Sequence, residues 1–210
     1  MTIRNELREF GRAVVAMVTF IVILAVFIGG LMVGRTPEYL GKKIQAREIK
    51  LVSLGVLFTP LAVLLSAGAA SATELGKRSL YAGINPTGFS ENLYAYLSQA
   101  NNNGSAWAGY TGFLQPHAPG NVGAYGITFA DLLGGFVMVT ARYAPILFVL
   151  AVAGAMAGKK VSPAGLGTMR TDNPTFVFLL VGIVVLVGAL TFFPAILLGP
   201  IANGLTGRLF

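Results

Sequence analysis

The chain has 210 residues, of which 55% are hydrophobic and only 11% are charged, and its formal net charge is +7. Because an ordinary soluble domain carries roughly 25% charged residues, this composition argues against a water-soluble globule, and the absence of cysteine excludes disulfides, thiol catalysis and zinc–thiolate clusters. The basic residues lie in short clusters between apolar runs, a pattern typical of membrane proteins and not of nucleic-acid binders.

Four long apolar runs follow one another along the chain. They cover residues 13–33, 51–72, 132–157 and 175–202. The first has 21 residues, which as a helix extend over about 30 Å, the thickness of the hydrocarbon core of a bilayer. We therefore predict an all-α integral membrane protein with four transmembrane helices.

Lysine and arginine residues between the runs indicate the orientation. The loop 34–50 carries five of them and the loop 158–174 carries three, whereas six lie on the opposite side of the predicted membrane. The excess is modest, but the densest loop belongs to the first group. By the positive-inside rule these two loops are predicted to be cytoplasmic, which puts both termini outside the cytoplasm.

A short helix and a polar turn are predicted between the second and third runs. Residues 90–100 have apolar positions at helical spacing, with Ser90 as the expected N-cap. Eleven residues reach about 16 Å, which is only half a bilayer. The next five residues have no helix preference: Asn101, Asn102, Asn103, Gly104 and Ser105. A span, a half-length helix, a polar turn and a second span together predict a re-entrant pore loop.

The polar turn has properties that favour a cation. The half-helix is expected to direct the negative end of its dipole toward the turn. Gly104 can adopt backbone angles that other residues resist, so that successive carbonyls face one axis and replace the water around an ion. The asparagine side chains supply further oxygens or brace the loop from behind. A bland extracellular loop with a glycosylation site at Asn103 fits the spacing equally well, so both interpretations stay open here.

Arg142 shifts the balance toward the pore loop. It is the only ionisable residue in the third run and lies about ten residues from its start. A charged residue at that depth faces a partner or a water-filled cavity. The sequence has no catalytic triad, phosphate-binding glycine loop or nucleotide motif. We therefore predict no catalytic and no cofactor-binding residues, and no ATP hydrolysis by this chain alone.

Four motifs of the chain are distinctive: residues 34–44, 88–91, 101–105 and 188–195. The first resembles the cytoplasmic loop of the KdpA family, the potassium-binding subunits of the Kdp P-type ATPase. The second and third resemble the fourth pore loop of that family, and the last resembles its final helix. The resemblance covers nearly the whole chain, in order and at matching spacing.

The resemblance implies a potassium-channel-like fold in which four span–loop–span repeats surround one selectivity filter. Residues 1–34 then close the third repeat, 35–50 and 158–174 are cytoplasmic loops, 51–157 form the fourth repeat, and 175–210 are the terminal helix and tail. Residues 101–105 are implied to be one quarter of the filter for the transported potassium ion, and Arg142 to lie below it near the gate. ATP is implied to act only through a separate catalytic subunit.

The chain starts with Met1 and lacks the region that supplies the first three repeats in that family. We expect a truncated or split subunit in a bacterial inner membrane, with the missing repeats, the catalytic subunit and accessory subunits as its partners, together with the lipid bilayer and without nucleic acid. Two alternatives stay open: a non-conducting structural or remnant membrane protein, and a stand-alone homotetrameric cation channel.

Overall fold

The computed structural model of the chain describes residues 3–80, 85–101, 103–107, 109–112, 127–163, 165 and 168–206, with side chains from residue 18 onward. This part of the chain is mostly helical. Its elements in order are α1 (Ile3–Val33), β1 (Glu38–Tyr39), β2 (Lys42–Lys43), α2 (Ala46–Ala72), α3 (Glu74–Lys77), α4 (Pro86–Ala100), α5 (Phe129–Ala157), α6 (Pro174–Thr191) and α7 (Phe193–Thr206).

Among the described residues, three helices are long and apolar enough to cross a membrane: α2, α5 and α6. Their large apolar side chains are often exposed, as for Phe178 and Leu190 of α6, which is expected of surfaces that face lipid or another membrane segment. The helical membrane class predicted from the sequence is therefore confirmed. The first predicted span lies within α1, where the described apolar stretch Val18–Val33 is shorter than the other three, so the count of four spans stays a prediction.

A small hairpin corrects the all-α prediction. Strands β1 and β2 pair antiparallel, with Tyr39 opposite Lys42. Leu40 and Gly41 form the two-residue turn between them, and both have positive φ angles, 53° and 71°. This combination is typical of the tight type I′ hairpin turn, in which Asn-Gly is the preferred pair. The turn was missed because leucine is a poor left-handed residue, at a cost of about 1–2 kcal/mol.

The fourth apolar run also differs from the prediction of a single terminal span. Helix α6 ends at Thr191 and α7 begins at Phe193, so two helices occupy residues 175–202. Pro194, at the second position of α7, explains the break. Proline has no N–H to donate, and its ring collides with the carbonyl four residues earlier in a continuous helix, whereas both features are tolerated in a first turn.

The contacts divide the chain into two compact units, Met1–Val56 with Pro145–Val187 and Leu57–Ala144 with Gly188–Phe210. In the first unit, α1, α2, α5 and α6 contribute to one buried cluster that includes Ile23, Val52 and Val152. Lipid tails are as apolar as these side chains, so close van der Waals packing, and not removal from water, holds such a cluster together.

Two loops of the first unit are tied to each other. The Lys159 ammonium lies 2.6 Å from the Glu48 carboxylate, which is 2% exposed. The Ser162 N–H donates to the Gly41 carbonyl at 2.7 Å, and the Thr168 hydroxyl donates to Glu38 at 2.9 Å. The loops 34–50 and 158–174 therefore lie side by side.

The second unit is built around α4. Leu93 and Tyr96 of this helix are fully buried, in a cluster with Val63 of α2 and Val137 of α5. Helix α7 packs along α4, and its Ala195 and Ile196 contact the same cluster. A 15-residue helix reaches about 22 Å, less than the roughly 30 Å of a hydrocarbon core, so α4 is too short to span a bilayer.

Candidate functional site

The start of α4 lies earlier than its apolar pattern predicts. Asn85 is the N-cap, because its side-chain oxygen accepts the Gly88 N–H at 2.7 Å, and Pro86 occupies the first helical position. Asparagine followed by proline is a strong helix start, since the cap satisfies a free N–H and the proline has none to satisfy. The prediction of Ser90 as the N-cap is therefore wrong.

Ser90 instead joins α4 to α7. Its hydroxyl donates to the Ile196 carbonyl at 2.9 Å and accepts the Gly199 N–H at 3.1 Å. A Cβ at position 199 would lie 3.0 Å from the Ser90 Cβ, so glycine is what lets the two helices approach this closely. Asn203 and Thr87 form a further hydrogen bond between the same helices. Helix α4 is thus fixed by polar contacts as well as by packing.

The asparagine turn closes the other end of α4. The Asn101 side-chain amide donates to the Leu97 carbonyl at 2.8 Å, and the Asn103 N–H donates to the Ser98 carbonyl at 2.9 Å. The Ser98 carbonyl is one that the helix end leaves without an intrahelical partner, whereas the Leu97 carbonyl also accepts the Asn101 backbone N–H at 3.2 Å. Asn101 therefore braces the turn, one of the two roles expected for these side chains. Asn102 lies outside the described residues.

Gly104 follows with a φ angle of +69°. This is the left-handed region, which side-chain-bearing residues resist and glycine adopts freely. A Cβ placed on Gly104 would meet no atom within 4 Å. The glycine is therefore required by the backbone angle and not by a lack of space. Asn101, Asn103, Gly104 and Ser105 are all exposed.

Beyond Gly104 the chain returns along α4 toward the start of that helix. The Ser105 and Ser98 hydroxyls lie 2.8 Å apart, and the Trp107 ring meets the Tyr94 ring edge-on at 5.9 Å. Further along, a Cβ on Gly109 would lie 2.9 Å from the carboxyl carbon of Glu91, which is buried beside it. The segment after the turn thus lies against one face of the helix that precedes it.

The returning segment is anchored again where it leaves α4. The Thr111 N–H donates to the Ser79 carbonyl at 2.7 Å, and the Thr128 hydroxyl donates to the Gly112 carbonyl at 2.7 Å. The Tyr110 ring packs edge-on against Tyr96 with the ring centroids 6.4 Å apart. Both ends of the exposed turn are therefore held.

The bracing residues were missed by the sequence analysis, although a signal was present. Glu91, Tyr94 and Ser98 are three and four positions apart, which places them on one face of a helix. Their partners at positions 105, 107 and 109 are two apart, the period of an extended segment that directs alternate residues to one side. Two such runs joined by a glycine turn predict a helix with an extended return.

Arg142 lies near the middle of the 29-residue helix α5 and is exposed. Within the described part of the chain, no hydrogen bond or ion pair joins it to the turn or to another side chain. Its depth argues against a residue that reaches to the membrane surface, because the helix ends lie too far away on either side. Its predicted place below a filter is not tested by these contacts.

Comparisons with known proteins agree with one family over nearly the whole chain. The model of the KdpA family, described as the potassium-transporting ATPase A subunit, matches residues 7–205. The chain is 49% identical over 193 residues to the potassium-transporting ATPase potassium-binding subunit of Klebsiella pneumoniae. It is 50% identical over 196 residues to the subunits of the same name from Shigella flexneri and Escherichia coli O139:H28.

These alignments cover 92% or 93% of the chain but only 32% of each relative. The chain therefore spans about a third of the length of the curated relatives that it matches.

Proposed function

Since the chain belongs to the KdpA family, we propose that it is the potassium-binding, channel-like part of an ATP-driven potassium import complex and contributes one of four pore loops to its selectivity filter. The observation that carries this proposal is the chain reversal at Gly104. It follows a helix too short to span a bilayer, and the chain then returns along that helix. An ordinary surface loop does not require the chain to return along the preceding helix.

The reversal supplies what cation coordination requires. A potassium filter replaces the ion's water shell with backbone carbonyls, and these must be held at a fixed spacing. The left-handed angle at Gly104 changes the direction of the backbone, while Ser98 and Leu97 hold the residues on either side of it. The negative end of the α4 dipole favours a cation at the same place.

The exposed position of the turn agrees with a site that is incomplete in this chain. One loop supplies too few oxygens to surround an ion, so Asn101, Asn103, Gly104 and Ser105 require equivalent loops from elsewhere. We propose that the remaining KdpA repeats supply these loops. ATP hydrolysis is proposed to belong to a catalytic partner subunit, in keeping with the name potassium-binding subunit that the relatives carry.

The paired loops support the proposed orientation in a bacterial inner membrane. The loops 34–50 and 158–174 are joined by the Lys159–Glu48 ion pair and carry most of the basic residues. Two loops that touch lie on the same side of the membrane, and their positive charge favours the cytoplasm. Cysteine labelling of intact cells at position 43 or 160 tests this, because the chain has no other cysteine. Labelling from outside the cell would contradict the orientation.

Complementation of a strain deficient in potassium uptake tests the function. The chain is expressed alone, or together with the N-terminal two-thirds of the Escherichia coli relative and the other subunits of the complex. We expect growth at low potassium only in the second case. Growth with this chain alone would favour the homotetrameric channel, and growth in neither case, with all chains present in the membrane, would favour a non-conducting protein.

A further inference from the structure

An apolar cavity lies in the first unit. Its volume is about 360 Å³, within the roughly 300–1,000 Å³ of small-ligand sites. The walls come from α1 and α5, including Phe20 and Ile23 on one side and Ala153 on the other. Because Ala153 is exposed, the cavity opens at the surface. A membrane protein with such an opening offers space to an apolar chain.

Leu40 lies at the edge of this cavity in an unfavourable conformation. It is a non-glycine residue with positive φ, 53°, and it is 77% exposed. At the first position of a type I′ turn, asparagine or glycine relieves that strain. A large apolar residue that is both strained and exposed gains little from the turn itself. Its position is explained if its side chain contacts something apolar that occupies the cavity.

Lys42 places a positive charge in the wall of the same cavity. Its ammonium group donates to the Met156 carbonyl at 2.7 Å and to the Ala157 carbonyl at 3.4 Å. An ammonium group has three donors, so one remains for another acceptor. The carbonyls at the end of α5 explain why the Lys42 ammonium lies there. They do not explain why the cavity wall beside Lys42 is apolar.

The surroundings of the cavity edge are strongly basic. Residues 34–50 and 158–163 contain seven lysine and arginine residues and two glutamates. One of those glutamates, Glu48, is paired with Lys159. Arg170 does not belong to this excess, because it donates two hydrogen bonds to Asp172 and thereby lowers the pKa of that carboxyl. The net charge at the cavity edge therefore favours an anion.

We propose that this cavity binds an anionic phospholipid from the leaflet next to the hairpin, with an acyl chain between Phe20, Ile23 and Ala153, and its phosphate at Lys42. Leu40 covers the acyl chain near the headgroup. Basic pockets beside membrane helices bind anionic lipid headgroups in this way. The proposal does not depend on the role of the asparagine turn.

Lipid binding by the purified full chain tests the proposal. Native mass spectrometry compares binding of phosphatidylglycerol with that of phosphatidylcholine of the same acyl composition. We expect the preference for phosphatidylglycerol to fall about fivefold in Lys42→Gln, the ratio that corresponds to about 1 kcal/mol for one basic residue. Lys43→Gln, an exposed neighbour outside the cavity lining, is the matched control and should keep most of the preference.

Two further variants separate the acyl chain from the headgroup. Ala153→Phe fills the cavity and should weaken binding of both lipids, whereas Ala151→Phe, exposed on the same helix but outside the lining, should not. Leu40→Asn relieves the left-handed strain, so the protein should become more heat-stable in detergent while binding phosphatidylglycerol less tightly. These opposite changes are not expected if Leu40 has only a structural role.

Three results would contradict lipid binding in this cavity. Equal losses of preference in Lys42→Gln and Lys43→Gln would mean diffuse charge attraction without a site. Parental lipid binding by both Ala153→Phe and Leu40→Asn would remove the cavity as the acyl position. Photoactivatable phosphatidylglycerol gives a test without substitutions: we expect crosslinks on residues 149–157, and crosslinks confined to other segments would contradict the proposal.

Discussion

Two glycine turns, one in each unit, have nearly the same backbone angle but different surroundings. Gly41 has a φ of +71° and Gly104 a φ of +69°. A Cβ on Gly41 would lie 2.8 Å from Val161 and 3.2 Å from the Ser162 carbonyl, whereas a Cβ on Gly104 would meet nothing within 4 Å. The same conformation is thus built into a packed junction in one case and into an exposed loop in the other.

This difference indicates what each turn does. The hairpin turn is held by residues about 120 positions away, through the Ser162–Gly41 hydrogen bond, so its conformation is coupled to the stability of the first unit. The Gly104 turn is held by residues of its own helix, such as Ser98. An exposed left-handed turn that is fixed locally contributes little to stability, which agrees with the proposal that this turn binds an ion.

The largest loss of stability is expected at the junction of the two basic loops. Lys159→Ala leaves Glu48, at 2% exposed, without its cation. Removing one partner of a buried ion pair costs about 3 kcal/mol, because the remaining charge stays desolvated. Thermal unfolding in detergent measures this loss. Lys160→Ala, exposed and next in the chain, is the control and should unfold at the parental temperature.

Gly41→Ala is expected to be the next most damaging. The substitution combines left-handed strain with a clash against Val161, and together these cost about 2 kcal/mol of unfolding free energy. Thermal unfolding is again the measurement, and potassium affinity in an assembled complex should stay unchanged. The potassium affinity of Gly41→Ala should not shift by more than its loss of stability explains. A larger shift would contradict the proposed difference between the two turns.

Gly104→Ala should lose about 1 kcal/mol or less in stability, since only strain and no clash opposes the methyl group. Relaxation of the loop should nevertheless lower the apparent potassium affinity and weaken discrimination against sodium or rubidium, because both depend on the spacing of the coordinating oxygens. Potassium-dependent ATPase titration of the assembled complex measures this change.

Gly182→Ala is the matched control for Gly104→Ala. A Cβ there also meets nothing within 4 Å, but Gly182 lies inside α6 with an ordinary helical angle. It should keep the parental affinity. Parental affinity in Gly104→Ala as well would remove the asparagine turn from the ion path.

The smallest effect on stability is expected for Arg142→Ala. The side chain is exposed, so the unfolding free energy should change by about 0.5 kcal/mol or less. If Arg142 lies below the filter, as the family resemblance implies, its positive charge acts on the passage of an ion, so uptake and its coupling to ATP hydrolysis should change more than ion selectivity does. Unchanged uptake and unchanged coupling would give Arg142 a structural role only.

The sequence predicted the parts of the fold that depend on local composition. Apolar length is enough to identify α2 and α5, and the lack of helix preference from Asn101 onward is enough to predict that α4 ends at Ala100. The start of α4 was misplaced because apolar spacing was weighed above the Asn85–Pro86 start signal. The break at Phe192 was missed because the apolar length of the run was weighed above Pro194.

Other features could not be predicted, because they depend on residues far apart in the chain. Ser90 and Ile196 are 106 positions apart, and Lys159 and Glu48 are 111 apart. No local sequence pattern predicts either pair. The left-handed Leu40 contradicts its own propensity, and such conflicts are expected where a surrounding structure or a ligand imposes the conformation.

The hydrogen bonds of Ser90 to α7 have a consequence for biosynthesis. Ser90 can form its hydrogen bond to the Ile196 carbonyl only after a further 106 residues have been translated. At about 5–20 residues per second, this takes roughly 5–20 s. During that interval α4 lacks the helix that packs along it and must be sheltered by lipid or by the insertion machinery. Helix α4 therefore reaches its final packing only after α7 has been delivered to the membrane, so ribosome stalling between residues 100 and 190 should leave α4 without its hydrogen bonds to α7.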